Sequence, residues 1–170
     1  MGEDRVEEYI ARLIDMLAEQ RDVYVKLTAG SERKREAIVN NSIEALDGEV
    51  KEEQLLLARL QELERNRKTL LSSVAVVTGR PASELNVGII LESCPADLRE
   101  PLIKIQKELT AQLYEQAKIN DINRKLLESR IEYMRFLTET GGGGEGNSYD
   151  TSGGDARKQT QGSRIIDLGV

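Results

Sequence analysis

The chain has 170 residues, a net charge of −6, no histidine, no tryptophan, one phenylalanine and one cysteine. Without histidine it lacks the commonest general base and the commonest metal ligand, and the Glu-x-x-His pairs of helical di-iron sites cannot form. The acidic excess is spread as −3 over residues 1–30 and −1 over each of 31–79, 80–140 and 141–170, with no basic patch to hold nucleic acid. No run approaches the roughly 20 apolar residues that span a bilayer, and the N-terminus lacks the pattern of a secretory signal.

The first predicted helix covers about residues 3–29. Val6, Ile10, Leu13, Leu17, Gln20, Tyr24 and Leu27 recur at alternating spacings of four and three, which is a coiled-coil seam with one polar member. Gly30-Ser31 is the expected stop, with glycine closing one helix and serine capping the next.

A second long helix is expected over about residues 32–78. Val39, Ile43, Leu46, Val50, Leu57 and Leu60 form its seam, which then slips by one residue onto Leu63, Leu70, Val74 and Val77. Gly79 and Pro81 end it. Within this stretch Asn40-Asn41-Ser42 matches a glycosylation acceptor, of no consequence in a cytoplasmic helical chain. Residues 82–96 read as a connector, in which a short helix over 82–91 places Leu85, Ile89, Ile90 and Leu91 as a plug over the bundle end. Cys94 has no partner for an internal disulfide and no histidine to activate it, and reads as structural in a reducing compartment.

The third long helix is expected over about 97–139, with Asp97 as its cap and Pro101 tolerated within the first turn. Leu102, Ile105, Leu109 and Leu113 open its seam. Leu127, Ile131, Met134 and Leu137 or Thr138 finish it, with Gln116, Asn120 and Asn123 between. Those polar positions, like Gln20, read as a register-fixing layer or as hydrogen-bond partners for an incoming helix. Beside the seam Ile119, Ile122 and Leu126, then Tyr133, Phe136 and Leu137, form an apolar arc broader than one seam requires. Two readings stand: the arc contacts two neighbouring helices, or it is a groove for a partner's amphipathic helix.

Nine of the fourteen glycines follow Thr140. Residues 141–144 are not a phosphate cradle, because no strand precedes them and no Gly-Lys-Ser/Thr follows. A flexible linker is the expectation, bearing a lone Tyr149 that suits docking and an apolar end, RIIDLGV, able to fold onto a partner or onto the bundle. The fold class is thus all-α: an elongated antiparallel three-helix bundle or coiled coil over 1–140, with a short connector helix and a flexible glycine-rich C-terminal tail over 141–170.

Three stretches, in order, resemble a known family. EEQLLLARLQELERNRKTLL, from Glu52, is similar to the middle signature of FlgN-type flagellar export chaperones, with Leu63-Glu64 and Arg67 at the matching positions. INDINRKLLESRIEYMRFL, from Ile119, resembles the family's two asparagines followed by paired leucines, here Asn120, Asn123, Leu126 and Leu127. NSYDTSGG places Tyr149 at the family's tyrosine. The glycine run before Tyr149 and the closing RIIDLGV depart from the pattern.

The resemblance implies a cytoplasmic, non-enzymatic chaperone without a cofactor. It would hold the C-terminal amphipathic segment of hook-associated proteins, prevent premature assembly and present the cargo to the export gate. Its cargo groove would comprise Ile119, Ile122, Leu126, Tyr133, Phe136 and Leu137, and Tyr149 would dock at the gate. A structural coiled-coil scaffold that self-associates through its seam is the alternative.

Overall fold

A computed structural model describes residues 2–141 except 82 and 84. The expected tail, with Tyr149 and RIIDLGV, lies outside the described residues. Four helices follow one another: α1 Gly2–Val39, α2 Ile43–Thr78, α3 Val87–Glu92 and α4 Ala96–Gly141. The described residues contain no strand, and the architecture is all-α. No described helix is long and apolar enough to cross a membrane.

Helix α1 is the central element and packs along both α2 and α4. Cross-helix ion pairs fix the directions. Arg33 Nε to Glu49 at 2.6 Å and Arg59 Nε to Glu19 at 2.8 Å run α2 antiparallel to α1. Arg21 to Glu108 at 2.6 Å, together with Gln116 to Ser31 at 3.0 Å further along both helices, shows α4 parallel to α1, the third leg of an up-down-up chain. These ion pairs are largely exposed and orient the helices more than they stabilise them. Lys34–Glu53 is the most sheltered, at 2.6 Å.

The expected break at Gly30-Ser31 does not occur. Helix α1 continues through both residues to Val39. Ser31 is 1% exposed and is bonded to α4, so tertiary packing outweighs the weak helix propensity of the glycine before it. The chain turns instead at Asn40-Asn41-Ser42. Asn41 takes the left-handed conformation (φ 58), the Ser42 amide donates to the Ala37 carbonyl and the Asn41 amide to that of Ile38. This pair of bonds is the Schellman closure with asparagine in glycine's usual place. Ser42 then caps α2, its hydroxyl accepting from the Ala45 amide. At the far end Gly79 (φ 67) closes α2 as expected.

Moving the turn re-registers the first half of α2. Its expected seam had counted Val39 and Ile43 as one helical step, yet the turn separates them. Val39, Ile43, Val50 and Leu57 are exposed, while Glu49, Glu53, Leu56 and Leu60 approach α1. The second half is placed as expected, with Leu63, Leu70 and Val74 buried.

The main core lies at the α3 end. Ile10, Leu13 and Leu17 from α1 meet Leu70 from α2, Ile90 from α3, Cys94, and Leu102 and Ile105 from α4. Ile90 is the plug, and the short helix bearing it begins at an Asn86 cap rather than near residue 82. Cys94 is buried here, and burial raises its thiol pKa, which suits packing and not nucleophilic chemistry. Helix α4 starts at Ala96, so Asp97 lies within its first turn rather than capping it. Pro101 therefore falls in the second turn, where the missing amide costs a helix bond that the burial of Leu102 and Ile105 offsets. A smaller core of Val23, Leu27 and Leu63 follows further along the α1–α2 pair.

Candidate partner-binding face

The α1–α4 contact changes character along its length. Beyond the apolar pairing at Leu102 and Ile105 comes a polar layer centred on Ser31. The Gln116 amide donates to the Ser31 hydroxyl at 3.0 Å, that hydroxyl donates to Asn120 Oδ1 at 3.1 Å, and Asn123 Nδ2 donates to the Ser31 carbonyl at 2.8 Å. Gln116 and Asn123 are buried. These asparagines therefore bond within the chain and pin the register of α4 against α1, the first of the two readings of the polar positions. Gln20, the polar member of the first seam, is likewise buried.

About two turns further on, Arg130 fastens α4 to the hairpin. Its guanidinium donates to Asn41 Oδ1 and, at 2.6 Å, to the Val39 carbonyl, one of the acceptors left at the end of α1. Here α1 ends, and α4 does not. Residues 131–141 continue for about 16 Å beyond this joint.

The stripe that faced α1 continues onto this overhang. At about 100° per residue, Leu127, Ile131, Met134 and Thr138 fall on the same side as Leu102, Leu109 and Asn123. With Arg130 and Arg135 they line a shallow, open apolar depression. Ile131, Met134 and Leu127 are exposed although the sequence pattern alone assigns them to a seam. They are functional candidates that sequence reasoning placed in the core. The signal that separates the two cases is the axial offset between α1 and α4, which is fixed by contacts such as Arg130–Val39 and has no local sequence signature.

The expected groove residues divide. Ile119 is buried, and Ile122 and Leu126 are half-buried along the bundle. Tyr133, Phe136 and Leu137 are exposed on the overhang, at 61%, 59% and 42%. By the same rotation Leu126 and Leu137 fall about a quarter-turn from the open stripe and Tyr133 somewhat further round, whereas Ile122 and Phe136 lie near the opposite side of α4. Glu128, Glu132 and Glu139 cluster at the other edge, next to Arg135, so the apolar face is bordered by Arg130 on one side and by Arg135 with these carboxylates on the other. Isolated exposed apolar residues are ordinary, but a continuous stripe on a projecting helix marks an interaction surface.

Among the described residues no group of histidine, cysteine, aspartate and glutamate side chains is placed to hold a metal ion. What the structure offers is an elongated helical protein, closed by a packed core at one end and presenting at the other a helix end that no other described residue covers. A projecting apolar face of this kind suits a protein that binds another protein. Comparison with known families gives the particular one: the FlgN family model (FlgN protein) matches residues 1–157, and the chain belongs to the FlgN family of flagellar export chaperones, which bind hook-associated proteins. No curated protein and no solved structure was found to match.

The family signature residues also have structural places. Leu63 is buried against Val23 and Leu27. Glu64 accepts two bonds from Arg67, both 2.8 Å, and this hydrogen bonding holds its carboxyl below the usual range. Asn120 and Asn123 bind Ser31. These parts of the signature build the bundle that projects the end of α4.

Proposed function

We propose that the overhanging end of α4 holds the C-terminal amphipathic segment of a hook-associated protein as a helix. The observation that carries this reading is the apolar stripe Leu127–Ile131–Met134, which continues the α1-facing seam past the last residue of α1. A cargo helix laid on this stripe, with Leu126, Tyr133 and Leu137 on its flank, occupies the place that α1 occupies lower down. Covering the cargo's assembly segment in the cytoplasm prevents premature polymerisation, and ordering it on binding limits net affinity, which suits cargo that must be released. Delivery to the export gate is assigned to the glycine-rich arm with Tyr149.

Calorimetry with the C-terminal segment of a hook-associated protein tests the holding step. The expected result is one-to-one binding accompanied by a gain in the segment's helicity; no heat and no helicity gain overturns the reading. In sedimentation the free chain should stay small across a concentration series, whereas continued growth would favour a self-assembling scaffold. For delivery, Tyr149→Ala should leave cargo affinity unchanged and reduce cargo secretion in cells, and unchanged secretion removes Tyr149 from the gate step.

A further inference from the structure

The residues that follow α4 contain an occupant suited to the same face. We propose that residues 164–170 fold back onto the Leu127–Ile131–Met134 stripe and cap it in competition with cargo, a regulation that rests on the reading of this stripe as the docking face.

Reach is the first argument. Residues 142–163 form a 22-residue connection with seven glycines and three serines. A chain of that composition has a root-mean-square span of about 26 Å. The way back from Gly141 to Ile131 and Leu127 along the helix is about 15–21 Å. The connection covers this distance without stretching, and tethering at matched length sets a local concentration in the millimolar range.

Chemistry is the second. Ile165, Ile166, Leu168 and Val170 are the apolar residues of this segment, and Ile165 and Leu168 stand three apart, as Ile131 and Met134 do. That spacing puts Ile131 and Met134 on one side of α4 and would suit a helical turn in the docked segment. The segment carries Arg164 and Asp167, and the Asp167 carboxylate suits Arg135 at the rim of the face, since Arg130 is already held by Val39 and Asn41.

A weak intramolecular cap has a use. It shields the apolar stripe when no cargo is present, and it yields to a longer cargo helix that covers more of the face. When the cap is on half of the time, cargo sees half of the sites and its apparent affinity falls about twofold.

The three methionines, Met1, Met16 and Met134, make the test selective. Met134 lines the stripe, whereas Met16 packs between the two cores and serves as a control. In the full chain labelled at the methionine methyls, Ile165→Asp/Leu168→Asp should move the Met134 signal and leave that of Met16 in place. A Met134 signal indifferent to the substitution overturns the cap. So does a wild-type Met134 signal that shifts with protein concentration, because the occupant is then a second copy. Titration with a synthetic C-terminal peptide of a hook-associated protein keeps the two ideas apart. With both correct, the substituted chain binds the peptide about twofold or more tightly than the wild type. A moved Met134 signal with no peptide binding retains the cap and discards the cargo reading. Peptide binding with equal affinity in both chains and an unmoved Met134 retains the cargo reading and discards the cap.

Discussion

The two ends of the molecule use similar residues to opposite effect. At the α3 end, Ile10, Leu70, Ile90 and Leu102 close on one another from four helices. At the hairpin end, Leu127, Ile131 and Met134 stand in the same helical phase as Leu102, yet nothing in the described chain covers them. The apolar stripe of α4 is a single feature, and its role is set by where α1 stops. A closed core and an open apolar face are here the same pattern with and without a covering helix among the described residues.

Substitution at the closed end should therefore act on stability and at the open end on binding. Leu102 is fully buried, so Leu102→Ala is expected to cost about 2–5 kcal/mol in denaturant-induced unfolding, through lost burial and the cavity left behind. Tyr133→Asp should leave the unfolding midpoint and the helical circular dichroism nearly unchanged, because its side chain is exposed. The same change should weaken binding of the hook-associated segment about tenfold or more, equivalent to about 1.4 kcal/mol, by setting a charge beside apolar cargo. The contrast breaks if Tyr133→Asp unfolds the bundle, or if Leu102→Ala is silent.

Much of this contrast can be read in the sequence, but not its boundary. The seam of α1, the second half of α2 and the plug at Ile90 follow from apolar spacing, since each is buried on one consistent side. The position of the hairpin was concealed by competing local signals. Gly30-Ser31 looks like a stop, but Ser31 is bound by Gln116 and Asn123 from a helix some 85 to 92 residues away, and no local rule contains that partner. Asn40-Asn41-Ser42 carried the true signal, an asparagine able to adopt positive φ followed by a capping serine, in residues that also spell a glycosylation motif. Misplacing that turn lengthens α2 and shortens α1, so the point where α1 abandons α4 disappears. The breadth of the arc on α4 was visible, whereas the axial offset that exposes Ile131 and Met134 depends on contacts between α1 and α4.

Arg130 marks this boundary and offers a smaller effect on both sides of the comparison. Its guanidinium holds the Val39 carbonyl and Asn41 together with α4. Arg130→Ala should cost about 0.5–1.5 kcal/mol of stability, the usual net contribution of such bonds. It should also speed hydrogen exchange in residues 127–141, because the overhang is no longer anchored at its root. Arg130→Lys should restore little, since one ammonium does not reproduce a planar fork reaching two acceptors. Unchanged exchange would mean that the polar layer around Ser31 alone sets the path of α4.

The smallest expected effect has the opposite sign and tests whether the two functions of the fold are separable. Gly48 lies inside α2, two residues before Val50, and a Cβ added there would meet nothing within 4 Å. In a helix interior alanine is favoured over glycine by about 1 kcal/mol, chiefly because the unfolded glycine chain has more freedom to lose. Gly48→Ala should therefore stabilise the α1–α2 hairpin by about 0.5–1 kcal/mol without altering the face of α4. If cargo binding depends only on the overhang and its anchoring at Arg130, the affinity measured by calorimetry should stay within a factor of two of the wild type. A marked loss of affinity would show that the hairpin must loosen for cargo to seat, which would extend the binding face from the projecting turns of α4 down into the bundle.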